Sequence, residues 1–176
     1  MIFKGTNLQD AFIIDLEKHQ DERGFFARVY CEKEFRDHGI DPGVVQANVS
    51  YNKFSNTLRG FHYQAEPYGE AKLMRCTKGS IYDVIIDVRP DSPSYKQWIG
   101  VELTESNHRM LYVPEGFAHG FITLQDETEV TYLVSEFYTP SAEKGIRWDD
   151  PAFGVEWPVE VKVISEKDRN WPDYRD

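Results

Sequence analysis

The stretch Leu58-Arg59-Gly60-Phe61-His62-Tyr63-Gln64 sets a guanidinium and an imidazole three positions apart around a glycine. A second histidine follows in Pro114-Glu115-Gly116-Phe117-Ala118-His119-Gly120-Phe121, and Lys72 lies between the two. Imidazole changes charge near neutral pH and is the side chain most often used to move a proton. Guanidinium and ammonium groups hold anionic oxygens, the first as a fork and the second as a point charge. Two histidines beside such cations point to proton transfer on an anionic substrate. Residues three apart in a regular strand face opposite sides. Bringing Arg59 and His62 into one site therefore requires a bulge or bend near Gly60.

The other reactive residues each carry two readings. His119 could ligate a metal, because imidazole is a common ligand. A metal site needs three or four ligands, however, and the first segment reads His62-Tyr63-Gln64 rather than His-x-His. A hydrogen-bonding role that orients a neighbour suits His119 better, and no metal is expected. Tyr132, in Thr131-Tyr132-Leu133-Val134, is either a packed tyrosine with a satisfied hydroxyl or a general acid. Asp168, in Ser165-Glu166-Lys167-Asp168, is either an exposed charge or, if buried beside His62, the carboxylate that fixes the ring's tautomer.

The elements that must carry these residues are mostly strands. Residues 79–89 alternate, with Tyr82, Val84, Ile86 and Val88 on one face, and Pro90-Asp91-Ser92-Pro93 ends the run with turn chemistry. Residues 97–103, 108–113, 117–124 and 128–134 read as further strands. Strands of similar length separated by Gly, Pro, Asn and Asp predict a sandwich or barrel. One short helix is predicted over Glu32–His38, stopped by Gly39. The last forty residues, with Trp148, Trp157 and Trp171 among prolines, read as an aromatic-rich wrap with little regular structure.

Composition narrows the possible partners. The chain has 176 residues, 40% hydrophobic and 14% aromatic, which suits one domain with a sizeable core spanning 1–176. Its net charge of −10 disfavours nucleic acid and anionic membrane surfaces. The charge is uneven, though. Residues 53–78 carry five bases (Lys53, Arg59, Lys72, Arg75, Lys78) against two acids, whereas 126–176 carry thirteen acids against six bases. A cationic strip on an acidic protein fits a small anion such as a phosphate ester, or else a solvated strand face. No apolar run reaches the roughly 18 to 20 residues of a membrane helix, and none at the N-terminus has signal-peptide length. Cys31 and Cys76 read as reduced thiols, and a cytoplasmic location is expected.

Taken in order, the motifs resemble the dTDP-4-dehydrorhamnose 3,5-epimerase family. They are Asp21-Glu22-Arg23-Gly24-Phe25-Phe26, Gln46-Ala47-Asn48-Val49-Ser50, the Arg59–His62 segment, Lys72-Leu73, and Asp83-Val84 through Asp87-Val88-Arg89. Ser92-Pro93, the His119 segment, Tyr132, Tyr138, Arg147-Trp148-Asp149-Asp150-Pro151, Trp157-Pro158 and Ser165-Glu166-Lys167-Asp168 complete the series. The resemblance implies an all-β, cupin-like jelly roll with a few short helices. It also implies a homodimer in which a segment near the N-terminus crosses to the partner. The activity implied is epimerisation of a nucleotide-linked 4-keto-6-deoxyhexose with neither metal nor organic cofactor. His62, paired with Asp168, takes the base role, Tyr132 the acid role on the opposite sugar face, and Lys72 stabilises the enolate. Arg59 and Arg23 would hold diphosphate oxygens, Phe26 and Tyr138 would flank the base, and Gln46 and Asn48 would line the pocket. Arg28, His119, Glu143 and Lys167 complete the implied substrate-binding set.

Three positions depart from the family pattern. Phe26-Ala27-Arg28 stands where Phe-x-Glu is usual, Glu70-Ala71-Lys72 where Gln-x-Lys is usual, and Gly60-Phe61-His62 where Gly-Leu-His is usual. Arginine has five donors and no acceptor, so Arg28 cannot accept a hydrogen bond from the N3–H of thymine or uracil. It either alters base recognition, with cytidine as an alternative, or turns away to pair with an acid such as Glu70. A 3-only epimerase or a 3,4-ketoisomerase on a dTDP-, CDP- or GDP-sugar is the neighbouring enzymatic reading. A non-catalytic sugar-nucleotide module and a metal-dependent cupin are the others.

Overall fold

The computed structural model describes residues 1–41 and 43–175. In chain order the elements are β1 (Ile2–Gly5), β2 (Phe12–Asp15), β3 (His19–Asp21), β4 (Gly24–Phe26), α1 (Glu32–Arg36), β5 (Gln46–Asn52), β6 (Thr57–Gln64) and β7 (Lys72–Lys78). They continue with β8 (Ser80–Asp87), β9 (Trp98–Thr104), β10 (Met110–Val113), β11 (Phe117–Thr123), β12 (Thr128–Val134), β13 (Glu143–Gly145), β14 (Val163–Ile164) and α2 (Glu166–Arg169). Sheet one runs β1-β2-β10-β7-β12-β5, and sheet two runs β13-β6-β11-β8-β9 with β14 alongside β6. All these pairings are antiparallel except β14 with β6. Strands β3 and β4 form a separate hairpin. This is the all-β, cupin-like jelly roll expected from the sequence.

The five strands read between residues 79 and 134 are present as β8 to β12. Strand β10 starts later than expected, because His108 takes φ of 53° and the Asn107 side chain accepts from the Arg109 N–H, closing a turn. The helix is also shorter than expected. After Arg36 the N–H groups of His38 and Gly39 bond three residues back, and Gly39 at φ of 76° ends the turn.

Strand β8 explains the packing. Ile81 and Ile85 face the interior between the sheets with Met74, Leu103, Leu111, Phe117 and Val130. Val84 and Ile86 face the other way, against Phe61, Ile146, Phe153 and Trp157 from the C-terminal wrap. The wrap is thus the lid on the outer face of sheet two, and it contains the regular elements β13, β14 and α2. The outer face of sheet one is covered over β2, β10 and β7 by α1 and its neighbours, with Phe35 and Tyr112 at the centre. Strand β5 is different. Gln46, Asn48 and Ser50 are half-buried while Ala47, Val49 and Tyr51 between them are exposed. The half-buried polar row therefore points into the sandwich.

Candidate functional site

At the β5 side of the sandwich the interior changes from apolar to polar. A cavity of 540 Å³ is lined by Arg59 and His62 from β6, Lys72 from β7, His119 from β11, Tyr132 from β12 and Asp168 from α2, among others. A second lobe of 270 Å³ shares His62, Lys72 and Tyr132 with it, and adds Gln46, Asn48, Glu70, Tyr138 and Glu143. His62 and Tyr132 stand on opposing sheets, so the space between them is walled by an imidazole on one side and a phenol on the other.

The bulge required near Gly60 is present. His119 pairs with His62 and Phe121 with Arg59, so two steps along β11 match three along β6. Gly60 sits at φ of 120°, and a Cβ there would stand 2.5 Å from the Cα of Gly120. No other residue fits that crossing of backbones. The extra residue turns Arg59 and His62 into the same cavity.

Asp168 reaches His62 across 106 positions of sequence. Its Oδ1 lies 2.6 Å from His62 Nε2, and the Gly60 N–H approaches its other oxygen at 3.4 Å. The turn carrying Asp168 is seated twice. Ser165 caps α2 by accepting from the Asp168 N–H, and the Trp171 ring lies so close over Gly145 that a Cβ there would overlap it. Gly145 is in turn the cross-strand neighbour of His62. Burial opposes ionisation of Asp168, but the hydrogen bond and charge of His62 and the Gly60 N–H outweigh it, holding the carboxyl below its ordinary range. An ionised Asp168 accepts, so His62 Nε2–H donates, and in the neutral tautomer the lone pair lies on Nδ1.

The second histidine is built the same way with less access. His119 Nε2 lies 2.7 Å from Asp83 Oδ1, both side chains being nearly inaccessible. The hydrogen-bonding reading of His119 thus has a specific partner. Asp83 was not singled out from sequence. Its signal is an acid between Ile81 and Ile85, on one face of a strand whose middle is otherwise apolar.

Lys72 pairs with Glu70 at 2.9 Å, and both side chains are largely buried. Tyr132 is half-buried beside them. Burial and then the Glu70 charge push its hydroxyl above the ordinary tyrosine range, with Arg59 opposing. The rim of the second lobe is a short chain of contacts. Tyr138 donates to Glu143 at 2.9 Å, and Lys167 pairs with the other Glu143 oxygen. Burial opposes ionisation of Glu143, but these two partners hold it below its ordinary value. Arg59 is fixed by donating to Asn52 at 2.6 Å. Lys78 pairs instead with Glu127, and Lys53 lies over Phe54, so only part of the cationic strip faces the cavity.

Three residues of the implied set lie elsewhere in this chain. Arg23, on the β3–β4 turn, pairs with Asp21, and Phe26 is 69% exposed on the same hairpin. Arg28 pairs with Glu34 at 2.8 Å, not with Glu70, which is engaged by Lys72. Among the described residues, no group of three His, Cys, Asp or Glu side chains is placed to hold a metal ion. No helix of the described residues is long and apolar enough to cross a membrane.

The family model for dTDP-4-dehydrorhamnose 3,5-epimerase matches residues 5–176. The dTDP-4-dehydrorhamnose 3,5-epimerase of Sinorhizobium fredii is 43% identical over 173 residues, covering 98% of this chain and 89% of the relative. Among solved structures, the Bacillus anthracis dTDP-4-dehydrorhamnose 3,5-epimerase with TDP and PPi bound is 42% identical. It superposes with a TM-score of 0.94 over 98% of this chain and 99% of its own. A 3'-monoepimerase from Streptomyces bikiniensis in complex with dTDP-quinovose is 31% identical, with a TM-score of 0.87 over 96% of this chain and 85% of its own.

Proposed function

The chain belongs to the dTDP-4-dehydrorhamnose 3,5-epimerase family and is a carbohydrate epimerase, and from that premise we propose its substrate and mechanism. The substrate is a nucleoside-diphosphate-linked 4-keto-6-deoxyhexose, dTDP-4-dehydro-6-deoxyglucose being the best match, and the product is dTDP-4-dehydrorhamnose. The 4-ketone acidifies the protons at C3 and C5, since either carbanion is delocalised as an enolate. His62 Nδ1 removes such a proton. The electron pair moves to the ketone oxygen, where the Lys72 ammonium meets the developing charge. Tyr132 returns a proton from the opposite face; solvent then takes the proton from His62 and reprotonates Tyr132. One observation carries this reading: an Asp168-oriented imidazole and a phenol on opposing sheets, with Lys72 on the strand beside the phenol and all three lining both lobes. Inversion needs a base and an acid on opposite sides of one carbon.

The nucleotide is read from weaker support. Arg59, His119 and Lys167 offer donors to diphosphate oxygens, and Gln46, Asn48 and Tyr138 line the second lobe. Arg23, Phe26 and Arg28 contribute only if the β3–β4 hairpin reaches a second copy's cavity. The exposed apolar row Val44, Val45, Val49 and Tyr51 beside the β5 edge supports such a homodimer. Pairing of Arg28 with Glu34 favours an unchanged preference for dTDP over CDP, UDP and GDP. Competition binding of these four nucleotides to wild type and Arg28→Glu tests that point. No metal is needed in this chemistry, so added chelator should leave the rate unchanged.

A single inversion at C3 is the second reading, favoured by the likeness to the 3'-monoepimerase. Incubation with several nucleotide-linked 4-ketosugars in deuterated water separates the two. Deuterium at C3 and C5 with a double inversion supports the first, deuterium and inversion at C3 alone the second. No incorporation with any of them overturns both.

A further inference from the structure

Glu70 stands at the centre of the site, yet the mechanism above gives it no task. It precedes Lys72 by two positions, so both side chains project from the same face of the chain into the second lobe. The residue between them is pinned. The Ala71 N–H donates to Ser135 Oγ at 2.8 Å, and its carbonyl accepts from the Ser135 N–H at 3.1 Å. Lys72 is held on both sides as well, opposite Val113 on β10 and Val134 on β12. A carboxylate and an ammonium so placed meet at 2.9 Å with little access to water.

A buried ammonium without a partner is costly, and a long flexible stem would carry it toward solvent. Lys72 is only 8% exposed. Something must keep its charge in the cavity before substrate arrives, and no other acid is within ion-pair distance of it among the described residues. We propose that Glu70 is a positioning residue that holds the Lys72 ammonium at the site of enolate formation. The proposal rests on the epimerase reading of the same site. It assigns Glu70 no contact with the reacting carbon. The carboxylate acts through Lys72 by geometry and on Tyr132 through space.

The arrangement has a cost with a readable sign. A carboxylate beside Lys72 weakens its field at the ketone oxygen, so Glu70 exchanges electrophilic strength for placement. The titratable and charged groups that line the two lobes with Tyr132 are Glu70 and Lys72 from the β7 side, Arg59, His62 and Tyr63 from β6, His119 from β11, Lys167 and Asp168 from α2 and Glu143 from β13, with Glu136 and Tyr138 from the loop after β12. Removing Glu70 leaves this surrounding more positive. Tyr132 then ionises at lower pH, and the enzyme loses its acid earlier as pH rises.

The test compares wild type, Glu70→Gln, Glu70→Ala and Lys72→Ala, with the double variant Glu70→Ala/Lys72→Ala. Glu70→Ala should lower kcat on the order of 10- to 100-fold, as for a misplaced group, with KM changed less than about threefold. Glu70→Gln should recover part of kcat, since the amide oxygen still accepts from the ammonium. The alkaline limb of kcat should move to lower pH in both. In the Lys72→Ala background Glu70→Ala should cost little more. An equal loss in both backgrounds overturns the proposal, as does an alkaline limb unmoved in both Glu70 variants. Carbon-13 relaxation at the Lys72 Cε in the substrate-free protein is read without turnover. An ordered Lys72 in wild type that becomes mobile in Glu70→Ala supports the proposal even if the 4-ketosugars tried are not turned over. A Lys72 equally ordered in both overturns it while leaving the epimerase reading intact.

Discussion

Two histidine–aspartate pairs sit side by side on sheet two, and they differ in almost everything except the bond. His62 and His119 are cross-strand neighbours, each bound through Nε2 to a carboxylate, at 2.6 and 2.7 Å. The His62 side chain is 34% exposed and the His119 side chain 8%. Asp168 comes from a short helical turn far along the chain, backed by the Gly60 N–H. Asp83 comes from the adjacent strand β8, with no exposure at all. The same pairing chemistry therefore supports two tasks. An oriented ring open to a cavity can take a proton from a substrate. An oriented ring with little access, at the edge of that cavity, engages one oxygen of a buried carboxyl and shapes the wall. Access separates the two.

That contrast is easiest to break at His62. His62→Ala should lower kcat on the order of 10⁴-fold, the upper end for a general base, and abolish deuterium exchange at both C3 and C5. Thermal stability should change little, because water entering at the vacated, part-open position can solvate Asp168. Exchange persisting near the wild-type rate would move the base elsewhere, with His119 the first candidate.

Tyr132 faces these rings from the other sheet and tests the second half of the division. Tyr132→Phe should lower formation of inverted product on the order of 10³-fold. Proton removal at His62 remains, so deuterium wash-in should fall much less than product. Equal losses of wash-in and product would place the acid on another side chain.

Asp168→Asn should cost about 10- to 100-fold less than His62→Ala, as expected when a carboxylate orients a base rather than serving as one. It also carries a pH signature. The folded-state pKa of Asp168 is lowered, so its ionised form contributes stability that is present above the unfolded value, about 3.9. That contribution is lost as pH falls through the folded value. Wild type and Asp168→Asn should thus differ in stability at neutral pH and converge under strong acid. A gap that persists unchanged to low pH would mean that the stabilisation is not electrostatic.

Strand periodicity made one half of this comparison legible. Arg59 and His62 lie three apart, so a shared site forced a bulge at Gly60, and the register between β6 and β11 contains it. The strands from 79 to 134 were readable because alternation or β-branched residues mark them. Shorter and more polar strands such as β3 and β4 carry no such pattern, nor does β7, where apolar and cationic residues do not alternate. The residues alone leave Asp168 either exposed or paired with His62, and the family resemblance selects the pairing. It depends on where the C-terminal wrap lands, and no local rule reports a contact over 106 positions. Asp83 stands in the Asp83-Val84 motif, but its partner His119 is 36 positions away on β11, and no local pattern reports that contact. Arg23, Phe26 and Arg28 lie outside the cavity, Arg23 paired with Asp21 and Arg28 with Glu34 of α1, and no local pattern in the sequence reports that placement.

The smallest effect on activity, and the sharpest use of the comparison, is expected at His119. His119→Gln removes the partner of a fully buried carboxylate. Breaking a buried pair by deleting one member costs about 3–5 kcal/mol, because the remaining charge is left without compensation. At this chain length that corresponds to a fall in Tm of roughly 10 °C. The loss in kcat should be no more than about tenfold, the equivalent of one hydrogen bond to the substrate. Asp83→Asn in the His119→Gln background should then recover much of the stability, since two amides can pair where a carboxylate and an amide leave a charge. Calorimetry and turnover on the same samples give a double dissociation: His62→Ala loses turnover and keeps its Tm, and His119→Gln loses Tm and keeps its turnover within about tenfold. A His119→Gln variant as inactive as His62→Ala, yet as stable as wild type, would make the sealed pair a working partner in proton transfer and end the division of labour by access.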